Sequence, residues 1–314
     1  MLQVKITADD FGYCKRRNAG ILELCSEGLV DKLSLLVNAV DVHDAVDGLK
    51  SLLDKQRDVG LDRSCCKSMP VIGLHLNLTE GKPISDEAVV PSLLNKQGFF
   101  QTKHEIADKL KGGSIKKSEI EVEMRAQVDR FKNLTGKLPS YVDGHQHVHI
   151  LPTVSEIFAE VLTSYDIVET RIPNELFIHH CNWIAHPQKN FYEEVCKNSV
   201  SAAKIFKARG ISYSDFFIGL STMGRNMTKS NIYRAFDCII DRSLPNDQRK
   251  ELLTIEFMVH PGFSSVSDSG GCGMGPDEFS LSNEREMELE FLKNDFRDIL
   301  TKYKSILATH GDLT

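Results

Sequence analysis

Two adjacent acids, Asp9 and Asp10, close the apolar run of I-T-A-D-D-F-G, and Gly12 behind them allows the chain to turn sharply toward the next helix. Successive strand residues face opposite ways, so the two carboxyls share one cleft only if the strand has ended and the turn brings them together. The competing role is structural, with one acid capping the turn or the helix that carries Asn18. In G-L-H-L-N-L-T-E-G, His75 lies near the end of an apolar strand and shares a face with Asn77. Alone, such a histidine reads as a hydrogen-bonded core residue. The run Y-V-D-G-H-Q-H-V-H changes that balance. It spaces Asp143, His145, His147 and His149 two apart, on one face of any extended strand. Four polar groups on one face are expensive inside a core. A metal ion or a water-filled active site removes that cost, because imidazole and carboxylate are natural ligands of a divalent cation. The apolar flank of Ile150 and Leu151, followed by Pro152, argues against an exposed edge strand.

Two further strands end on ionisable groups, His260 in T-I-E-F-M-V-H-P-G-F and Arg171 in E-T-R-I-P-N-E. His260 has a plain alternative as a polar strand terminus. Arg171 could pair with a carboxylate or hold a ligand oxygen, and a structural ion pair fits its spacing equally well. His43, His104, His179, His180, His186 and His310 lie in helical or loop contexts and receive no role. No G-x-S-x-G elbow is present and no cysteine stands in a nucleophile setting, so a metal-activated water is the better-supported nucleophile. A three-ligand site leaves positions for that water and a substrate carbonyl, and a remaining acid can serve as base.

The elements that must position these groups alternate along the chain. Segments 4–8, 33–38, 71–76, 140–143, 167–169, 216–219, 254–259 and 306–309 read as strands. Segments 18–27, 43–53, 119–134, 153–162, 199–208, 229–241 and 284–303 carry apolar residues at helical spacing. The alternation predicts an α/β fold with parallel strands, as one domain over 1–314. A (β/α) barrel, regular or distorted, is preferred to an open doubly wound sheet. In such a barrel functional groups gather at the C-terminal strand ends. Three segments interrupt the pattern: a polar excursion at 55–70, a long connection at 84–113 that would cover one end of the barrel, and a Gly/Ser-rich stretch at 262–282. The last contains no phosphate-loop motif and reads as a mobile lid or plain loop.

Composition limits the partners. The net charge of −6 is spread along the sequence with no basic block, which makes nucleic acid an unexpected partner. No apolar run approaches a membrane span and the first residues are too short for a signal peptide, so a cytoplasmic or nuclear protein is expected. The eight cysteines are scattered, with no C-x-x-C pair, and read as reduced thiols.

Four motifs taken together, A-D-D-F-G, G-x-H-x-x-L-T-x-G-K-P, D-G-H-Q-H-V-H and V-H-P-G-F, give the chain a resemblance to the YdjC family of carbohydrate deacetylases. The resemblance implies a barrel of the glycoside hydrolase and deacetylase type, and hydrolysis of N-acetyl groups on small chitin-derived or related sugars. It implies a divalent metal, usually Mg2+, although the two imidazoles suit Zn2+ at least as well. Carried over residue by residue, it makes Asp10, His75 and His145 the metal ligands and Asp9 the proton acceptor. His147 and His149 then back the ligands or face substrate. Arg171 would orient Asp9 or the released acetate, and His260 would protonate the leaving amine. Rival readings are a metal phosphodiesterase or glycosidase, and a sugar-binding module without turnover. Natural sugar, chain length and oligomeric state stay open.

Overall fold

The computed structural model describes residues 2–58, 69–243, 252–266 and 270–311. Its centre is a sheet of six parallel strands, β1 (Leu2–Phe11), β2 (Lys32–Leu35), β3 (Val71–Leu76), β4 (Val142–Gly144), β5 (Phe216–Ile218) and β6 (Leu253–Val259), in the order β4-β3-β2-β1-β6-β5. Around it run α1 (Lys15–Ser26), α2 (Val42–Asp58), α3 (Lys103–Lys111), α4 (Lys117–Thr135), α5 (Val154–Ser164), α6 (His186–Ala208), α7 (Lys229–Ser243), α8 (Glu278–Leu281), α9 (Glu284–Asn294) and α10 (Phe296–Gly311). The strands that meet helices on one side and the cleft contents on the other are buried nearly throughout, the pattern of a covered parallel sheet.

The α/β expectation holds, in distorted form. The sheet curls, and its two outer strands are joined through an irregular stretch: Val142 bridges to Thr170, and Glu169 to Ser212 just ahead of β5. The predicted strand 167–169 is thus reduced to single bridges at Glu169 and Thr170, with Pro173 barring any extension of the donor row beyond Ile172. The predicted strand 306–309 is instead the last part of α10, and the single helix expected over 284–303 breaks at Asp295 into α9 and α10. Short β-branched or apolar runs do not distinguish strand from buried helix by periodicity alone. The excursion at 55–70 lies mostly outside the described residues.

The helices fasten the sheet through apolar stripes at helical spacing. In α4, Ile120, Met124, Val128 and Phe131 are buried, each removing about 1.5–3 kcal/mol of apolar exposure from water. Gly136 ends that helix in the left-handed conformation, at φ 79. On the same helix the buried polar residues Glu123 and Gln127 tie down neighbouring connections, Glu123 accepting from the amides of Ile84 and Ser85, and Gln127 from that of Asn77. The connection 84–113 is therefore more structured than expected, and it carries α3, opened by a Thr102–Glu105 capping box, to the cleft. Among the described residues no helix is long and apolar enough to cross a membrane, and the six described cysteines are free thiols.

Candidate active site

The C-terminal ends of β1, β3, β4 and β6 deliver Asp9 and Asp10, His75, His145 and His260 to one cleft of about 430 Å³. The way β1 does this differs from expectation. The strand continues through both acids to Phe11, and Asp10 alone turns left-handed, at φ 59, while the register against β2 shifts between Ala8 and Phe11. One residue out of pleat cancels the alternation, so neighbouring carboxyls reach the same cleft. Neither acid caps α1; that place belongs to Cys14, whose Sγ accepts from the Arg17 amide. Gly12, at φ 102, then makes the turn where a Cβ would sit 3.1 Å from the Leu36 carbonyl oxygen.

The histidine run also departs from expectation. β4 stops at Gly144, and residues 145–150 form tight helical turns in which Gln146 and His147 are left-handed. The three histidines consequently fan out instead of sharing a face. His145 enters the carboxylate cluster, His147 lines the cleft, and His149 packs inward against Phe158 and Phe206 with its Nε2 2.9 Å from the Arg171 carbonyl oxygen. Burial lowers the His149 imidazole to about 4, which keeps it neutral in this apolar setting. Gly144 is needed for that packing, since a Cβ there would meet His149 Nδ1 at 2.5 Å.

Asp10, His75 and His145 converge so that one donor atom from each lies within 4.8 Å of the others. Asp10 Oδ1 is 3.1 Å from His145 Nδ1 and 3.4 Å from His75 Nε2. Each imidazole is held from behind by an acid on its other nitrogen: His75 Nδ1 is 2.7 Å from Asp143 Oδ1, and His145 Nε2 is 3.0 Å from Glu80 Oε2. The Ser34 hydroxyl donates to the same Asp143 oxygen. A carboxylate behind the distal nitrogen fixes the tautomer and turns the free lone pair inward, as in histidines that ligate metals. The donor set therefore fits a divalent cation. A second trio, Asp9, His75 and Asp143, is also close. It fits poorly, because Arg171 already occupies both acids and Asp143 occupies His75 Nδ1.

Arg171 is fully buried and supplied by the irregular stretch after β4. It donates to Asp9 through both terminal nitrogens, at 2.6 and 2.7 Å, and through Nε to Glu256 at 2.9 Å, while Asp143 Oδ2 lies 2.9 Å from its Nη2. It does not line the cleft, so the geometry fits orientation of Asp9 and not capture of a released acetate. On the other side of Asp9, His260 Nε2 and His75 Nε2 each stand 3.9 Å from Oδ2. The His260 backbone is clamped by α9, its amide donating to Glu288 and its carbonyl accepting from Arg285.

These contacts separate two neighbouring acids. Burial pushes the Asp9 carboxyl above the ordinary range despite the pull of Arg171 and His75. Burial acts on Asp10 in the same sense but loses to the hydrogen bonds from His145 and His75, with Arg17 2.8 Å from Oδ2, and Asp10 is held well below the ordinary range. The imidazoles respond in kind. Burial opposes their charge, yet Asp143, Asp9 and Asp10 raise His75 to about 10, and hydrogen bonds to Asp10 and Glu80 raise His145 to about 9.

The sequence reading missed Ser34, Glu80, Arg17 and Glu256 as parts of this assembly. A signal existed for Glu256, a lone acid within the apolar strand T-I-E-F-M-V, and for Glu80, which precedes a glycine at φ 78. Ser34 and Arg17 carry none. His104, given no role, stands at the cleft with Lys103, Phe191 and Phe279.

The model of a family described as YdjC-like protein matches residues 3–302. Among curated proteins, the chain is similar to a carbohydrate deacetylase of Danio rerio, 41% identical over 304 residues that cover 93% of this chain and 92% of the relative. It is also similar to a carbohydrate deacetylase of Xenopus laevis, 38% identical, with 93% and 92% covered. Among solved structures, a putative cellobiose-phosphate cleavage protein from Enterococcus faecalis shares the fold, with TM-score 0.63 at 19% identity over 98% of this chain and 94% of that one.

Proposed function

The chain belongs to the YdjC-like family, and on that premise we propose that it is a carbohydrate deacetylase that releases acetate from small N-acetylated sugars, chitin-derived or related, with the help of a divalent metal. The observation that carries the proposal is the pairing of a convergent Asp10, His75 and His145 donor set with a separate, clamped carboxylate at Asp9. A divalent ion held there would supply Lewis-acid polarisation of the acetamide carbonyl. Mg2+ follows from the family resemblance, whereas two imidazole ligands favour Zn2+ on softness.

The remaining work falls to the chain's own residues. Asp9, with its carboxyl raised by burial, is suited to take a proton from the attacking water, and Arg171 fixes its plane by two parallel hydrogen bonds. His260, across the same carboxylate, is placed to give a proton to the departing amine nitrogen. Asp143 and Glu80 keep His75 and His145 in the orientation that binding requires. A substitution that removes only the base separates this reading from its rivals. Asp9→Asn should lower acetate release by about 10²–10⁴-fold while leaving ion binding in place. Near-normal acetate release by that variant would exclude Asp9 as base, and release of phosphate or of shortened sugars in place of acetate would exclude deacetylation.

A further inference from the structure

Gln146 and His147 are consecutive, left-handed and not glycine, at φ 49 and 59. Neither takes part in the ligand or proton-transfer sets described above. His147 is 7% exposed, its Nδ1 is buried with no partner, and its ring meets Phe217 edge-on at 6.4 Å. The Gln146 Oε1 beside it is likewise buried and unpartnered. Both residues line the main cleft and also a side pocket of about 30 Å³ between α3 and α6, as do Lys103, His104 and Phe191. Glycine would hold the same turn without strain; what the larger residues add is polar atoms. Buried polar atoms without partners are rare in native structures, and strained backbone clusters at sites that bind ligands. Imidazole and primary amide each offer both a donor and an acceptor, the complement of a hydroxyl, which is also both.

We propose that His147, with Gln146 beside it, is the ledge that hydrogen-bonds the hydroxyl groups of the sugar and so selects a carbohydrate over other acetamides. This assignment rests on the deacetylase reading above. The test is calorimetric titration of the metal-loaded protein with N-acetylglucosamine and its β-1,4-linked di- and trisaccharides, beside His147→Phe, His147→Asn and Gln146→Leu.

His147→Phe should weaken sugar binding by about tenfold or more and raise KM more than it lowers kcat, with ion affinity unchanged. His147→Asn should recover part of the loss, because its amide restores a donor and an acceptor to the side chain. Gln146→Leu should weaken binding about threefold or more, and this half-exposed position carries the test if His147→Phe does not fold. Sugar affinity equal to that of the unsubstituted protein in both His147→Phe and Gln146→Leu overturns the ledge and leaves the deacetylase reading standing. Ion affinity that falls in step with sugar affinity overturns it in favour of a structural role. Failure of the unsubstituted protein to bind any of these sugars overturns it together with the reading beneath it.

Discussion

The cleft has two unlike walls. One is made of strand ends, where Asp9, Asp10, His75 and His145 are buried and each is held by other charged groups. The other is made of helix starts, with Lys103 and His104 opening α3, Gln188 and Phe191 in the first turns of α6, and Asp277 and Phe279 at α8; Lys103, Phe191 and Phe279 are half-buried and His104, Gln188 and Asp277 are exposed. On the first wall position is over-determined: each acid is held by a buried, hydrogen-bonded ion pair, Asp9 by Arg171 and Asp10 by Arg17. On the second, Lys103 is half-buried and rests over the Phe191 ring at 4.3 Å. Groups that must be aligned closely sit at the strand ends, and contacts that need only follow a substrate's outline sit on the outer helix starts.

That contrast can be broken most directly at Arg171. Replacing it as Arg171→Met leaves Asp9, Asp143 and Glu256 buried without their shared cation, and the loss of stability should be about 3–5 kcal/mol in denaturant melts near neutral pH. A loss under about 1 kcal/mol would mean that the strand-end wall is not held by charge.

A smaller effect concerns protons at the same wall. With His75 raised to about 10 and His145 to about 9, both imidazoles carry protons below pH 9, and ligation needs both neutral. Ion capture near pH 7 should therefore release close to two protons, and apparent ion affinity should climb steeply with pH and flatten above about 10. Titration in buffers of different ionisation enthalpy counts the protons; a count near zero would show that the imidazoles are already neutral. The smallest effect belongs to the helix-start wall. Phe191→Ala should raise KM for an N-acetyl sugar by about threefold to tenfold, with kcat and ion affinity nearly unchanged. A collapse of kcat in that variant would erase the distinction between the walls.

How much of this was legible in the sequence depended on the physics of each part. The parallel α/β plan follows from alternating patterns, and the carrying residues of the cluster stand out because acids and imidazoles are costly at the ends of apolar strands. The positive φ at Asp10, Gln146 and His147 was not legible, because aspartate, glutamine and histidine announce a left-handed turn far less clearly than glycine does. That gap produced the misplaced expectation of one histidine face. Ser34 and Arg17 were invisible for a different reason: their importance lies in partners 109 and 7 residues away, and no local pattern encodes a pair.

The Arg171 cluster also bears on how the chain reaches its native state. Its partners come from positions 9, 143 and 256, and the stretch that carries it makes only isolated bridges to the sheet. Every loop closed by these pairs except the one to Asp143 spans much of the chain, and the entropy of closing it must be met before the charges attract at short range. The guanidinium can reach all three acids only where β1, β4 and β6 stand in their native places. The buried cluster and the curled sheet therefore depend on one another, and a disturbance of either is a disturbance of both.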